Sequence, residues 1–295
     1  MELPELHRYS LFGLGIESEI ALPEMEGHPS IEQGARVELS VRLGQATGDD
    51  GYTFDVPDIA RYTISGGKLI TVTPADGASV REIRLFLLGS AMGIALHQRG
   101  VLPLHANAID IDGSAVAFVG KSGSGKSTLA AWFLDQGLRI LADDVCVVRI
   151  EGSTPLAYPG LPRLRLWQDA LEASGRNAGD HPLSYHLEDD VRRKYDVTFG
   201  SEKLAGAALP LRAILFLEEG PQFAIDRIRG AEAVEAISEN TYRGEYITEV
   251  GDVTAHFDAC VELARETPCF RLARPFDRAA YGATASAILE FCRSI

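Results

Sequence analysis

The segment 120–128 constrains this chain more than any other part of its sequence. It reads GKSGSGKST and matches the phosphate-binding pattern G-x-x-x-x-G-K-[ST] at every defined position. An apolar strand (115–119) precedes it and a helix (129–134) follows it, as the pattern requires. Glycines let the backbone N–H groups turn inward toward phosphate oxygens, and the N-terminus of the helix adds positive potential. The segment therefore predicts a binding site for a nucleoside triphosphate.

The side chains of this loop have separate expected roles. We expect Lys126 to contact the β- and γ-phosphates and the hydroxyl of Ser127 to ligate Mg²⁺. ATP is the expected donor, and GTP or pyrophosphate are alternatives that the sequence leaves open. The predicted nucleotide-binding residues are Gly120, Ser122, Gly123, Ser124, Gly125, Lys126, Ser127 and Thr128.

The composition of the chain argues against several classes of partner. Its 295 residues carry a formal net charge of −14, and no basic block stands out, which makes nucleic acids and anionic membranes unfavourable partners. Residues 1–10 contain no apolar run, so we expect no signal peptide, and the most apolar stretch, 85–96, is too short to cross a bilayer. The four cysteines show no C-x-x-C spacing, which favours buried free thiols in a reducing cytoplasm over a zinc site.

Two structural units are expected along the chain. Residues 1–78 read as short strands separated by turns, which predicts a small antiparallel β unit. A helix over 79–99 is apolar almost all round, so we expect it to be buried between the two units. Together with this linking helix, residues 79–295 mix strands and helices around the phosphate loop. That mixture predicts an α/β catalytic domain.

Two adjacent carboxylates, Asp143 and Asp144, follow the strand predicted over 138–142. Open α/β sheets place their ligands at this end of a strand, and neighbouring side chains of an extended chain point in different directions. One carboxylate can therefore hold Mg²⁺ while the other accepts a proton from an attacking hydroxyl. This pair suits transfer to an alcohol better than hydrolysis. The alternative is that one of the two only caps a turn.

Five basic residues are candidates for binding the acceptor or the transferring phosphate. Arg163 and Arg165 lie on the same side of a strand by alternation and would line an acceptor cleft. Arg192, Arg193 and Lys194 form a cluster in an otherwise acidic chain. This cluster would clamp the transferring phosphate, or it is a solvated basic turn.

His105 introduces a resemblance to a known family. On its apolar strand it reads more simply as a core residue than as a catalyst. However, His105, the loop and the Ala-Asp-Asp at 142–144 follow one another in the order and at the spacing seen in HPr kinase/phosphorylase, which the chain resembles. That bacterial family phosphorylates a serine of a small protein and has a fold related to phosphoenolpyruvate carboxykinase. The resemblance implies that Asp143 is the base, aided by His105, and that Asp144 helps to bind Mg²⁺.

A second resemblance spans most of the chain. The segments 12–14, 99–105 and 159–167 are similar to those of HPr-kinase-like proteins found with ribosomal peptide pathways, notably lasso peptides. Members of that set phosphorylate a serine on a precursor peptide. The chain differs from HPr kinases at Thr128, where they have Glu, and it lacks their downstream acidic signature. Both HPr as the acceptor and the reverse reaction therefore stay open.

These observations together predict a cytoplasmic kinase that uses ATP and Mg²⁺. Its expected partner is a peptide or small protein that carries a serine, with no nucleic acid and no membrane involved. The analogy with HPr kinases also implies a homo-oligomer. Two alternatives stay open: a kinase of the same fold that acts on a small metabolite, and a nucleotide-dependent regulatory module that hydrolyses ATP slowly.

Overall fold

The computed structural model describes residues 5–26, 36–46, 51–184, 193–277 and 280–295. Over these residues the chain is a mixed α/β protein with several sheets. No helix in the described ranges combines the length and the apolar character needed to cross a membrane. All four cysteines lie in these ranges, and each is buried and free, as the sequence predicts.

Six strands in the N-terminal part of the chain form one sheet. They are β1 (His7–Leu11), β2 (Leu14–Ser18), β3 (Leu39–Leu43), β4 (Tyr52–Val56), β5 (Ala60–Ser65) and β6 (Leu69–Pro74). Their order in the sheet is β1-β2-β3-β6-β5-β4. The expectation of an antiparallel unit is wrong at β3, which runs parallel to both β2 and β6, whereas the other neighbouring pairs are antiparallel. Twenty residues separate the end of β2 from the start of β3, whereas a two-residue hairpin joins only antiparallel strands.

The helix expected over 79–99 is present in three parts. A π-helical turn, Leu87–Ala91, joins α1 (Val80–Phe86) to α2 (Met92–Gln98). Ser79 precedes α1, but its side chain makes no capping hydrogen bond. Most of the apolar side chains of this segment are buried in the same core as the first sheet, which confirms their expected burial. The division of the chain near residue 78 stays a prediction.

The strands after residue 100 form a large sheet and a separate pair. They are β7 (Leu102–Leu104), β8 (Ala106–Ile111), β9 (Ser114–Val119), β10 (Arg139–Ala142), β11 (Cys146–Glu151), β12 (Thr154–Tyr158), β13 (Arg163–Trp167), β14 (Lys194–Thr198), β15 (Leu209–Glu219), β16 (Ala224–Ile228) and β17 (Cys269–Arg274). The large sheet has the order β10-β8-β9-β15-β12-β11-β7, with β17 beside β15 and β16 beside β17. The separate pair is β13 with β14.

Helices cover both faces of the large sheet. They are α3 (Lys126–Asp135), α4 (Gln168–Ala173), α5 (Ala231–Glu239), α6 (Ile247–Val250), α7 (Val253–Glu266) and α8 (Tyr281–Ser294). Because side chains alternate along a strand, Ile109 and Phe118 face one side, and Ala108 and Ala117 face the other. The first side packs against α3, α8 and the β13–β14 pair, and the second packs against α5 and α7.

Candidate active site

The phosphate loop lies between β9 and α3, so the strand, loop and helix expected from the sequence follow one another. Gly123 and Gly125 have φ angles of +87° and +83°, in the left-handed region that favours glycine. A Cβ atom at Gly125 would lie 2.6 Å from Nη2 of Arg274, whereas a Cβ atom at Gly123 would meet no atom of the described residues within 4 Å. The loop is therefore packed on its inner side and open at Gly123, where a ligand can approach the backbone.

Lys126 is a buried cation of this loop. Only 7% of the residue is exposed. Its Nζ donates hydrogen bonds to the backbone oxygens of Gly120, at 2.5 Å, and of Lys121, at 3.3 Å. Burial lowers the pKa of Lys126 to about 8, although the carboxylates of Asp144 and Asp143 act in the opposite direction. Because this pKa is still above 7, Lys126 is charged in most molecules at neutral pH. The loop therefore holds a desolvated cation suited to an anionic ligand.

Asp143 follows the last residue of β10 and is buried. Its Oδ2 accepts a hydrogen bond from the backbone N–H of Arg165 at 2.7 Å, and its Oδ1 accepts one from the hydroxyl of Ser127 at 3.3 Å. Burial raises the pKa of Asp143 to about 6, and the neighbouring charge of Asp144 acts in the same direction. The structure thus brings together Ser127 and Asp143, the predicted metal ligand of the loop and the first carboxylate of the aspartate pair.

Asp144 lies between the guanidinium of Arg165 and the imidazole of His105, whose own pKa is lowered by burial. Nη1 of Arg165 donates to its Oδ2 at 3.2 Å, and Nδ1 of His105 lies 3.4 Å from its Oδ1. Burial opposes ionisation of Asp144, but the charges of Arg165 and His105 outweigh it and lower its pKa. His105 lies between β7 and β8 rather than on a strand, and its ring stacks on Tyr242. The ring of His105 thus contacts Asp144 and Tyr242, and its expected aid to Asp143 stays a prediction.

The five predicted basic residues do not share one position. Arg165 and Lys194 line the cavity next to the loop, and Nζ of Lys194 also lies 4.7 Å from the centre of the Trp167 ring. Arg163 is buried and forms an ion pair with Asp196 at 3.8 Å. Arg193 contributes its backbone oxygen to a hydrogen bond with Gln168. The remaining candidate, Arg192, lies outside the described residues.

A small cavity borders the phosphate loop on the side of Lys126. Its volume is about 110 Å³. The side chains that line it include Lys126, Arg165, Lys194 and Asp144. We call it the basic cavity, because its charged groups are mainly cationic.

Two larger cavities reach the loop from other directions. The glutamate cavity, of about 640 Å³, is lined by Glu218, Glu219, Glu232, Glu235 and Glu239. The Tyr242 cavity, of about 400 Å³, is lined by His105, Asp144, Arg165, Tyr242 and Arg243. His105, Asp144 and Arg165 belong to both the basic cavity and the Tyr242 cavity. These three side chains therefore lie where the contents of the two cavities would meet.

The sequence interpretation missed two residues of this site. Tyr242 stacks on His105 and packs against the buried helix α2 near Gly93. Asn107 lies on β8 at the basic cavity and is almost completely buried. A local signal existed for Asn107, because it is a polar residue on the apolar face of a strand, two positions after His105. No local signal exists for Tyr242, since its contacts depend on the tertiary fold.

The residues present fit a magnesium nucleotide. Mg²⁺ keeps several waters and usually takes only one or two protein carboxylates besides phosphate oxygens. Ser127 and Asp144 line the basic cavity together with Gly123, and Asp143 adjoins it through its hydrogen bond with Ser127. Within the described ranges, no group of three or more His, Cys, Asp or Glu side chains forms a closed metal site. The side-chain amide of Asn107 leaves further hydrogen-bonding capacity unused in the same cavity.

Comparisons with known proteins give one short similarity. No family model matches the chain. HPr kinase/phosphorylase from Chlorobium phaeobacteroides (strain BS1) is 39% identical over 56 residues, which cover 19% of this chain and 16% of that protein. The Hpr(Ser) kinase/phosphatase from Coxiella burnetii is 12% identical, with a TM-score of 0.31 over 65% of this chain and 97% of that chain. A TM-score this low does not establish a common fold. The chain therefore contains a segment similar to an HPr kinase/phosphorylase and matches only a small part of that relative's length.

Proposed function

We propose that this chain is a kinase that uses ATP and Mg²⁺ to phosphorylate a serine hydroxyl of a peptide or small protein. The main support is the 3.3 Å hydrogen bond between Oγ of Ser127 and Oδ1 of Asp143. It joins Ser127, the residue after the loop lysine, to Asp143, the carboxylate that follows β10. The loop itself follows β9, and β9 and β10 belong to the same sheet. The terminal phosphate and a proton acceptor would consequently meet at one place. The 56-residue similarity to HPr kinase/phosphorylase agrees with this type of reaction.

A few side chains have separate roles in the proposed reaction. Asp143 takes the proton of the serine hydroxyl while the serine oxygen bonds to the γ-phosphorus, and the bond from that phosphorus to the bridging oxygen breaks, which releases ADP. A pKa of about 6 suits Asp143, because the carboxylate is ionised at neutral pH yet still basic enough to accept a proton. Lys126 and Arg165 stabilise charge on the phosphate oxygens. Mg²⁺, held by Ser127 and Asp144, would neutralise further charge there.

The Tyr242 cavity supports a peptide or protein as the acceptor. Its volume of about 400 Å³ exceeds that of the basic cavity, and the side chains of His105 and Asp144 are 32% and 25% exposed. A serine on a longer chain can therefore reach His105 and Asp144 from solvent, and Asp144 is the chain neighbour of the buried Asp143. The resemblance to the HPr-kinase-like proteins of lasso peptide pathways makes a precursor peptide the acceptor class that we propose, ahead of an HPr-like protein.

The test is transfer of labelled γ-phosphate from ATP with Mg²⁺ to a panel of peptides that differ by Ser or Ala at one position. We expect labelling of Ser peptides only, and none with the Asp143→Asn variant. If small hydroxylated metabolites are labelled and no peptide is, the acceptor is a metabolite and not a peptide or protein. ATP hydrolysis without transfer to any acceptor, together with nucleotide-dependent protein binding, would favour a regulatory module instead.

A further inference from the structure

Asn107 is a buried polar residue whose side-chain amide has no hydrogen-bond partner in the described part of the chain. Only 1% of the residue is exposed. Among the described residues, neither Nδ2 nor Oδ1 of Asn107 has a hydrogen-bond partner. Buried amides almost always have partners, because burying an unpaired donor or acceptor destabilises the folded state. The free amide of Asn107 therefore requires an explanation.

The position of Asn107 suggests what its partner is. It shares one face of β8 with Ile109, which packs into the apolar core that includes α3. An apolar side chain would suit that face better than an amide. However, Asn107 also lines the basic cavity, where Lys126 and Ser127 are its neighbours. The unpaired amide thus lies where the proposed nucleotide and its metal would bind.

We propose that Asn107 binds the magnesium–triphosphate unit, an inference that rests on the proposed function. Its amide offers both an acceptor, for a water bound to Mg²⁺, and a donor, for a phosphate oxygen. The basic cavity, of about 110 Å³, has room for about three or four waters in the absence of a ligand, so such an ordered shell fits there. Ligand binding would satisfy both ends of the amide, and this explains why the chain keeps a polar residue at an otherwise apolar position.

The neutral amide also explains why this residue is Asn rather than Asp. Asp143 and Asp144 already place two carboxylates at the site, and each affects the ionisation of its surroundings. A third carboxylate would repel the triphosphate and raise the pKa values of its neighbours. An amide adds hydrogen-bonding capacity without adding negative charge. We therefore expect Asn107→Asp to bind MgATP more weakly than the unchanged protein.

The test compares Asn107→Leu with the unchanged protein by calorimetric titration with ATP, with and without Mg²⁺, and by thermal unfolding. Leucine matches the size of asparagine and removes both unpaired groups. We expect the affinity for MgATP to fall about 10- to 100-fold. We also expect the Tm of the nucleotide-free protein to rise by about 2 °C, because the unpaired groups are gone. Thr267→Val is the matched control. The hydroxyl of Thr267 is likewise buried and has no hydrogen-bond partner among the residues that the structure describes, but Thr267 lines none of the three cavities.

Each outcome of this test has a distinct meaning. Weaker MgATP binding together with a higher Tm in Asn107→Leu, and unchanged binding in Thr267→Val, supports the inference. If Asn107→Leu binds MgATP as tightly as the unchanged protein, or if its Tm falls, Asn107 is a structural residue and the inference is wrong. If the unchanged protein itself binds no nucleotide, the proposed function fails first.

Discussion

The basic cavity and the glutamate cavity border the same loop but have opposite charge. On one side the loop faces Lys126, Arg165 and Lys194, and on the other it faces a group of glutamates. Arg271 pairs with only two of those glutamates, Glu218 at 3.1 Å and Glu232 at 2.6 Å. Backbone N–H groups alone would accept an anion from either direction, so side-chain charge decides the direction of approach. We therefore expect the phosphates to lie in the basic cavity.

Replacing Asp143 by Asn should produce the largest effect on the rate of phosphate transfer. Such an effect would show that the reaction depends on the carboxylate that is hydrogen-bonded to Ser127. Loss of the proton acceptor is expected to slow transfer about 100- to 10,000-fold in single-turnover assays, with little change in nucleotide affinity. Retained transfer would contradict the assignment. Asp144→Asn is the companion variant, because Asn also tolerates the positive φ angle of +69° at that position. We expect it to weaken the dependence on Mg²⁺ instead.

The same Asp143→Asn variant separates lost chemistry from lost folding. Burial raises the pKa of Asp143 from 3.8 to about 6 in the folded protein. The free energy of unfolding of the unchanged protein therefore falls as pH rises between these values and stays low above them. Asparagine avoids this loss, so we expect the variant to be more stable at pH 8 by up to about 3 kcal/mol. Thermal unfolding at pH 4 and pH 8 measures the difference, which should nearly vanish at pH 4.

Replacing Lys126 by Met should give the next largest effect. The variant removes the buried cation of the basic cavity, so we expect transfer to slow about 100- to 1,000-fold and nucleotide affinity to fall. Lys121→Met is the matched control, since Lys121 belongs to the same loop but is exposed. If both variants lose the same transfer rate and nucleotide affinity, only the total charge of the loop matters. The basic cavity and the glutamate cavity would then not differ in how they bind the nucleotide.

The pH dependence of kcat/KM should show the ionisation of both Asp143 and Lys126. The rate is expected to rise about tenfold per pH unit up to about pH 6, as Asp143 loses its proton, and to fall above about pH 8, as Lys126 loses its charge. Steady-state assays from pH 5 to pH 9 test this. Lys126→Arg keeps its charge at high pH and should lack the fall above pH 8. A flat profile for the unchanged protein would remove both residues from the rate-limiting chemistry.

Removing charge from the glutamate cavity should have the smallest effect on the nucleotide. Because the phosphates are expected on the opposite side, Glu239→Gln should change the affinity for MgATP less than about threefold, as for a weak interaction at the surface. Glu290→Gln, at an exposed position of α8, is the control. A tenfold gain in nucleotide affinity for Glu239→Gln alone would show that the phosphates approach from the glutamate side.

The sequence predicted the parts of this molecule that depend on short-range patterns. The loop from Gly120 to Ser127 and the position of Asp143 after a strand follow from residues that are near one another in the chain. The parallel neighbours of β3 could not be predicted, because they depend on where a long connection returns the chain. Arg165 was found by strand alternation, but its ion pair with Asp196 depends on β14, which no sequence pattern indicated. The unpaired amide of Asn107 is likewise a property of its tertiary surroundings.

The backbone conformation at Asp144 limits which residues could replace it without strain. Its φ angle of +69° is a conformation that Asp, Asn and Gly adopt at little cost, whereas β-branched residues do not. If a descendant of this protein no longer needed the carboxylate, replacement of Asp144 by Asn or Gly would strain the backbone least. Position 144 can thus serve as a marker when inactive descendants are sought among newly sequenced genomes. Valine or isoleucine there would signal a rebuilt turn rather than a simple loss of chemistry.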